Sequence, residues 1–149
     1  MKIAIGADHG GYELKESLIK FLKKKGHMVK DFGTFSKEPC DYPPIGYKVA
    51  RSIGKGLYKR GILVCKTGIG MAIVANKARA ARAALCDRVD IARSSREHND
   101  ANVLVFAANI VSASQARKIT SVWLSTKATG GRHSRRVRQI KNIDKGKGF

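Results

Sequence analysis

Two short stretches place reactive side chains beside glycines, and each suggests a different chemistry. Gly6-Ala7-Asp8-His9-Gly10-Gly11 sets a carboxylate and an imidazole where a Rossmann phosphate loop would stand. It does not read Gly-x-Gly-x-x-Gly, and Tyr12 stands where a Walker loop needs Lys, so dinucleotide and nucleoside triphosphate binding are disfavoured. Asp8 and His9 either grip sugar hydroxyls or a phosphate, or Asp8 simply caps the following helix. Cys65-Lys66-Thr67-Gly68-Ile69-Gly70 puts a thiol just ahead of a glycine turn that opens a helix near Met71. Backbone N–H groups in such a turn stabilise oxyanions and favour a thiolate, so Cys65 can serve as a base. The competing reading makes Cys65 a buried strand residue like Cys86, with the glycines only tightening the turn.

Further along, His98-Asn99-Asp100 sets three polar side chains together, too many for a core position. Gly130-Gly131-Arg132-His133-Ser134-Arg135-Arg136 follows the last long apolar helix, and Arg132 and Arg136 share one face if the tail is helical. Such a pair suits a phosphate, whose oxygens accept charge-assisted bonds, although basic helical tails are often only solvated.

These residues need elements to hold them. Apolar, β-rich runs recur at Lys2 to Ala7, Met28 to Phe32, Gly61 to Cys65, Arg82 to Cys86 and Asn102 to Ala107, with helical periodicity between them. Leu14, Leu18, Ile19 and Leu22 mark one amphipathic helix, and Ala113, Ala116, Ile119, Val122, Trp123 and Leu124 mark another. Strands joined through helices run parallel. The expected architecture is a single α/β domain over residues 1–149, a doubly wound sandwich with a five-stranded parallel sheet in the order 2-1-3-4-5, flavodoxin-like or Rossmann-like, plus a basic helical tail over 130–149. That order makes strands one and three neighbours at the switch point, so the Asp8 and Cys65 loops meet at one crevice.

Composition narrows the class. The chain has 149 residues, 30 Lys+Arg and 11 Asp+Glu, a net charge of +19 that raises the question of polyanionic partners. From Arg117 onward there are ten Lys+Arg and one acid, Asp144. Aromatics suited to base stacking make up only 7%, and no nucleic-acid motif is visible, so nucleic-acid binding is the less favoured reading. No apolar run reaches the ~20 residues of a membrane span, and the first apolar stretch breaks at Gly6 and Asp8, too early for a signal peptide. A cytoplasmic protein without a membrane partner is expected. Cys40, Cys65 and Cys86 are odd in number and lack a Cys-x-x-Cys pair, pointing to reduced thiols and no metal site.

Taken together, the stretch Met1 to Gly11, Asp41-Tyr42-Pro43, Cys65 with Thr67 to Gly70, Ala75-Asn76-Lys77, Arg82-Ala83-Ala84, His98 to Asn102 and Gly130 to His133 closely resemble the type B ribose-5-phosphate isomerases, a family that includes galactose-6-phosphate and allose-6-phosphate isomerases. The resemblance spans nearly the whole chain. It implies an aldose-ketose isomerase without cofactor, acting on ribose 5-phosphate and ribulose 5-phosphate through a cis-enediolate. On this resemblance His98 opens the furanose ring as an acid, Cys65 as thiolate moves the proton, and Thr67 hydrogen-bonds that thiolate. The amides around Gly68, Ile69 and Gly70 face the enediolate oxygen, Asp8 and Asn99 hold the sugar, and His9, Arg132 and Arg136 serve the phosphate.

One expectation is geometric. Asp8, His9 and Cys65 to Gly70 follow strands and sit at the carboxyl edge, whereas His98 precedes a strand and the Arg pair follows a helix returning to the amino edge. A composite site is therefore expected in a homodimer or tetramer, with His98, Arg132 and Arg136 donated by the neighbouring subunit to the Cys65 loop and the tail packed on that neighbour. Three positions depart from the family pattern: Lys66 where relatives usually carry Gly or Ser, Asn109 where an Arg assisting the phosphate is common, and Ala80 where Gly is usual. Lys66 is expected to compensate for the absent Arg. A six-carbon sugar phosphate is the alternative substrate.

Overall fold

The computed structural model describes residues 1–147; Gly148 and Phe149, the end of the predicted tail, lie outside the described residues. Five strands form the sheet: β1 (Lys2–Ala7), β2 (Met28–Asp31), β3 (Arg60–Cys65), β4 (Ala83–Leu85) and β5 (Val103–Ala107). Around them lie α1 (Tyr12–Lys24), α2 (Tyr42–Gly54), α3 (Ile69–Asn76), α4 (Val89–Asn99), α5 (Ala113–Ser125) and α6 (Arg132–Ile143). Every strand pair is parallel.

The strand order is β2-β1-β3-β5-β4, which corrects the expected 2-1-3-4-5 by exchanging the last two strands. The reason lies in burial. All five residues of β5, Val-Leu-Val-Phe-Ala, are buried, whereas β4 is three residues long and leaves Leu85 39% exposed. The fully apolar strand takes the interior, and the short one takes the edge, where unpaired backbone is least hazardous. β1 and β3 remain neighbours, so the switch point stands where it was expected.

Alternation along the strands divides the core. Ile3, Ile5, Ile62, Val64, Leu104 and Phe106 face Leu14, Leu18 and Leu22 of α1 and Ile119 and Trp123 of α5. Ala4, Leu63, Cys65, Val103 and Val105 face Val49 and Ile53 of α2 and Met71 and Ala75 of α3. Each such aliphatic side chain contributes about 1.5–3 kcal/mol on burial. Local signals start the helices. Pro43 and Pro44 occupy the first turn of α2, and α5 opens on a capping box in which the Ser112 hydroxyl and the Gln115 side chain accept each other's backbone N–H. Lys15 is fully buried and pairs with Asp31 and Glu16.

The tail folds as α6 against α4 of its own chain. Val137 is buried there, and the Thr129 amide and hydroxyl both donate to the Glu97 carbonyl, at 2.9 and 2.8 Å. Farther on, the Ala80 amide donates to Asp144 Oδ2 at 3.1 Å. Ala80 itself has φ +65°, in the left-handed region that suits glycine, which gives a physical reason for glycine at this position.

Candidate active site

β1 ends at Ala7 and hands Asp8 to the carboxyl edge, where its Oδ1 accepts from the Gly11 amide at 3.0 Å. Asp8 thus does cap the 3-10 turn His9–Gly11. Capping does not exhaust a carboxylate, whose lone pairs outnumber one bond. His9 Nδ1 accepts from the Cys40 amide at 3.1 Å, so Nδ1 carries a lone pair and Nε2 is the nitrogen left to donate outward.

β3 runs into Cys65, whose side chain is 5% exposed. The next residues make the turn that the sequence suggests. Gly68 adopts φ +74°, and its N–H folds back to donate to Cys65 Sγ at 3.1 Å. The left-handed turn delivers the Gly68 amide to the sulfur, and among the described residues the Thr67 hydroxyl, expected to bond the thiolate, has no hydrogen-bond partner. The helix begins at Ile69, two residues earlier than the pattern indicated, so the amides of Ile69 and Gly70 lie in the first turn of α3, where N–H groups lack intrahelical acceptors. Sulfur, amides and helix N-terminus are therefore collected within a few residues.

The two loops touch. The Asp8 amide donates to the Val64 carbonyl at 3.3 Å, and a side chain at Gly10 would meet Lys66 Cβ at 3.2 Å. β5 closes the third side, with the Ala108 and Asn109 amides donating to the Cys65 and Lys66 carbonyls at 2.9 and 3.1 Å. A residue that the sequence reading left without a role also belongs here. Tyr42 opens α2 ahead of the two prolines, and its ring lies 2.6 Å from where a Gly70 Cβ would stand, so it walls the start of α3. Its place in the Asp41-Tyr42-Pro43 motif was the signal available.

Cys86 shows what a merely structural thiol looks like in this chain. It is fully buried, donates weakly to the Ala84 carbonyl at 3.6 Å, and burial pushes its pKa up to about 11. Cys65 differs by standing at a strand end under an amide.

The remaining predicted residues sit at the other edge. His98 and Asn99 end α4, and Arg132 and Arg136 lie exposed on α6. The His98 and His133 rings stack with centroids 4.2 Å apart at 12°. Burial first, then the neighbouring His98, Arg132 and Arg136 charges, hold the His133 pKa below its ordinary value. Register pairs Cys65 with Ala107, whereas α4 enters β5 at Val103, and the four-residue span between those ends is about 13 Å. Within one chain the Cys65 turn and the His98 end of α4 therefore lie at opposite edges of the sheet. Among the described residues no three His, Cys, Asp or Glu side chains assemble as a metal-binding set, and no helix is long and apolar enough to cross a membrane.

Comparison with known proteins places the chain and its fold. A model of the Ribose/Galactose Isomerase family matches residues 3–140. Ribose-5-phosphate isomerase B of Escherichia coli is 42% identical over 143 residues, covering 96% of each chain. The solved Clostridium thermocellum ribose-5-phosphate isomerase B superposes with a TM-score of 0.95 at 49% identity, covering 98% of this chain and 99% of that one. A Thermotoga maritima ribose 5-phosphate isomerase gives 0.92 at 48% identity, covering 95% and 97%. With a thiol turn at the carboxyl edge, a His-Asn-Asp turn at the other and relatives matching end to end, the chain belongs to the Ribose/Galactose Isomerase family.

Proposed function

We propose that this chain interconverts D-ribose 5-phosphate and D-ribulose 5-phosphate through a cis-enediolate, with Cys65 as base and His98 as ring-opening acid. The observation that carries the reading is the Gly68 amide held 3.1 Å from Cys65 Sγ at the mouth of α3, which offers a base and oxyanion donors in one turn. His98 gives a proton to the ring oxygen as the furanose opens. The Cys65 thiolate takes the proton beside the aldehyde, and the electron pair moves onto the carbonyl oxygen, near the Ile69 and Gly70 amides. A donor of this kind lowers the barrier by about 2.7–4 kcal/mol. The proton returns to the neighbouring carbon while the 2-hydroxyl proton passes to the former carbonyl oxygen, so no cofactor is needed for balance.

Arg132 and Arg136, one turn apart, bind the phosphate together with His9 Nε2, while Asp8 and Asn99 hold sugar oxygens. These residues work together only if a second copy donates the His98 half to the Cys65 half. Support comes from α3, where Ile69 and Ile73 are each 56% exposed beside the Cys65 turn, an apolar stripe that a second copy would cover. All three cysteines are unpaired, which suits a reducing cytoplasm. Assaying the purified protein on ribose 5-phosphate, allose 6-phosphate and galactose 6-phosphate, with Cys65→Ala as control, tests the proposal. Turnover of the five-carbon sugar that is lost in the variant is the expected result, and turnover that survives in Cys65→Ala overturns it.

A further inference from the structure

The His98-Asn99-Asp100 turn is held by an unusual concentration of bonds. Asp100 ends α4 with φ +47° and ψ +43°, a left-handed conformation that Asp can adopt at a helix end and that its surroundings here hold in place. Arg82, just ahead of β4, supplies much of that hold. Its Nε and Nη2 donate to the Asp100 carbonyl at 3.0 and 2.8 Å, its Nε reaches the Asn99 carbonyl at 3.1 Å, and its Nη2 donates to Asp100 Oδ2 at 2.8 Å. From within α4, Arg96 Nη1 donates to Asp100 Oδ1 at 2.7 Å and to the Ala101 carbonyl at 2.6 Å. The Arg96 side chain is only 4% exposed, and its guanidinium lies 5.7 Å from the Trp123 ring centroid, the same distance as that of Arg60.

Stability alone does not call for this. Buried ion pairs are often replaceable by apolar contacts without loss, and here one carboxylate is shared between two guanidiniums. What the forks supply is fixed geometry, because a planar guanidinium specifies direction as well as charge. The geometry is imposed two residues from His98, on the turn against which His133 stacks.

We propose that Asp100, clamped between Arg82 and Arg96, is a positioning residue for the isomerisation: it fixes the end of α4 so that His98 meets the sugar ring at a productive angle. The inference rests on His98 being the ring-opening acid. Arg82 and Arg96 act one step further back, by holding Asp100. A loosened turn leaves His98 present but misdirected, so ring opening slows while recognition of an already open chain persists.

The test compares Asp100→Asn, Arg82→Lys and His98→Ala in the full-length protein. Asn tolerates the left-handed conformation and keeps the shape of Asp, and Arg82→Lys serves as a second route if the first variant folds poorly. Turnover of ribose 5-phosphate is measured beside calorimetric binding of a phosphorylated four-carbon hydroxamate, an open-chain mimic of the enediolate, and a thermal melt. Expected for Asp100→Asn and Arg82→Lys is a fall in kcat of about 10- to 100-fold with hydroxamate affinity changed by less than about threefold, the pattern of a misplaced group. Wild-type kcat in both variants, with His98→Ala crippled, overturns the proposal while leaving the His98 assignment standing. Equal losses of kcat and hydroxamate affinity make the clamp a purely structural support and also overturn it. An active His98→Ala overturns the His98 assignment itself.

Discussion

The Gly68 amide donates to Cys65 Sγ at 3.1 Å because Gly68 takes φ +74°, a geometry that a side chain opposes twice over. A Cβ there would lie 2.3 Å from Leu85 Cδ1 and 3.2 Å from the Phe106 carbonyl carbon and oxygen. Leu85 can swing away, but the β5 backbone cannot. Gly68→Ala is therefore expected to cost about 1–2 kcal/mol in urea unfolding from the left-handed conformation. As the amide leaves the sulfur and the turn reorients, kcat should fall by about 100-fold or more. Wild-type kcat in a folded Gly68→Ala protein would show that the turn plays no part in turnover.

Ala80 presents the opposite case. It carries a Cβ at φ +65°, held by the Asp144 carboxylate on its amide and by Asn102 Nδ2 on its carbonyl at 2.8 Å. Ala80→Gly relieves about 1–2 kcal/mol of conformational strain and loses about 0.4–1 kcal/mol through the freer unfolded chain. The net expectation is a gain of several tenths to about 1 kcal/mol in chemical denaturation, with kcat unchanged. A destabilised Ala80→Gly protein would contradict the strain argument.

These two positions illustrate how much of the molecule can be read from its sequence. A strand-end thiol followed by Gly-x-Gly announces its turn locally, and so does a histidine placed before a strand, so the Cys65 turn and the position of His98 at the opposite edge of the sheet are legible. The Gly68 amide contact is not, because which donor meets Sγ depends on the φ of Gly68 and not on residue type. The exchange of β4 and β5 escapes a topological preference, although the length and apolar content of the two runs carry the signal. The Asp100 clamp does not depend on that exchange, since β4 lies against β5 in either order: Arg82 precedes β4, and the β4–β5 pairing brings it beside Asp100, 18 residues away.

Acid should weaken the fold through two histidines. His133 is shifted below the ordinary value by burial and then by His98, Arg132 and Arg136, and His27 by burial and then by the N-terminal ammonium. For a base held lower in the folded state, the unfolded chain binds protons first as pH falls. Stability from these sites is thus complete above the ordinary value of about 6.5 and is lost as pH drops through the lowered folded values. The melting temperature should be flat above about pH 7.5 and fall towards pH 5, and His27→Gln with His133→Gln should flatten that slope. An unaltered slope in the double variant would rule these sites out as its source.

Two inactive proteins should make one active mixture. Cys65→Ala damages the carboxyl-edge half of a site and His98→Ala the amino-edge half, about a strand length away in the same chain. If neighbouring copies pool their halves, a heterodimer of the two variants contains one intact site and one doubly damaged site. Verified heterodimers should regain about half of the wild-type activity per dimer, since one of two equivalent sites is restored. No recovery would mean that each chain works alone.

Lys66 offers a test of how this chain handles the phosphate. Its carbonyl accepts from the Asn109 amide at 3.1 Å, so the two departures from the family pattern are direct neighbours, and both side chains are exposed at the carboxyl edge. A lysine here supplies a positive charge to the neighbourhood in which the family resemblance implies an arginine at position 109. It does so as a point charge on a flexible stem and not as a bidentate fork, so its contribution is mainly long-range and salt-sensitive. Lys66→Gly should raise KM for ribose 5-phosphate several-fold at low salt while leaving kcat within about twofold, because the removed attraction acts on bound substrate and transition state alike. Adding Asn109→Arg to Lys66→Gly should recover the affinity. If Lys66→Gly binds the sugar phosphate as tightly as the parent at low ionic strength, the lysine is not a substitute for the missing arginine, and the phosphate is held by Arg132, Arg136 and His9 without its help.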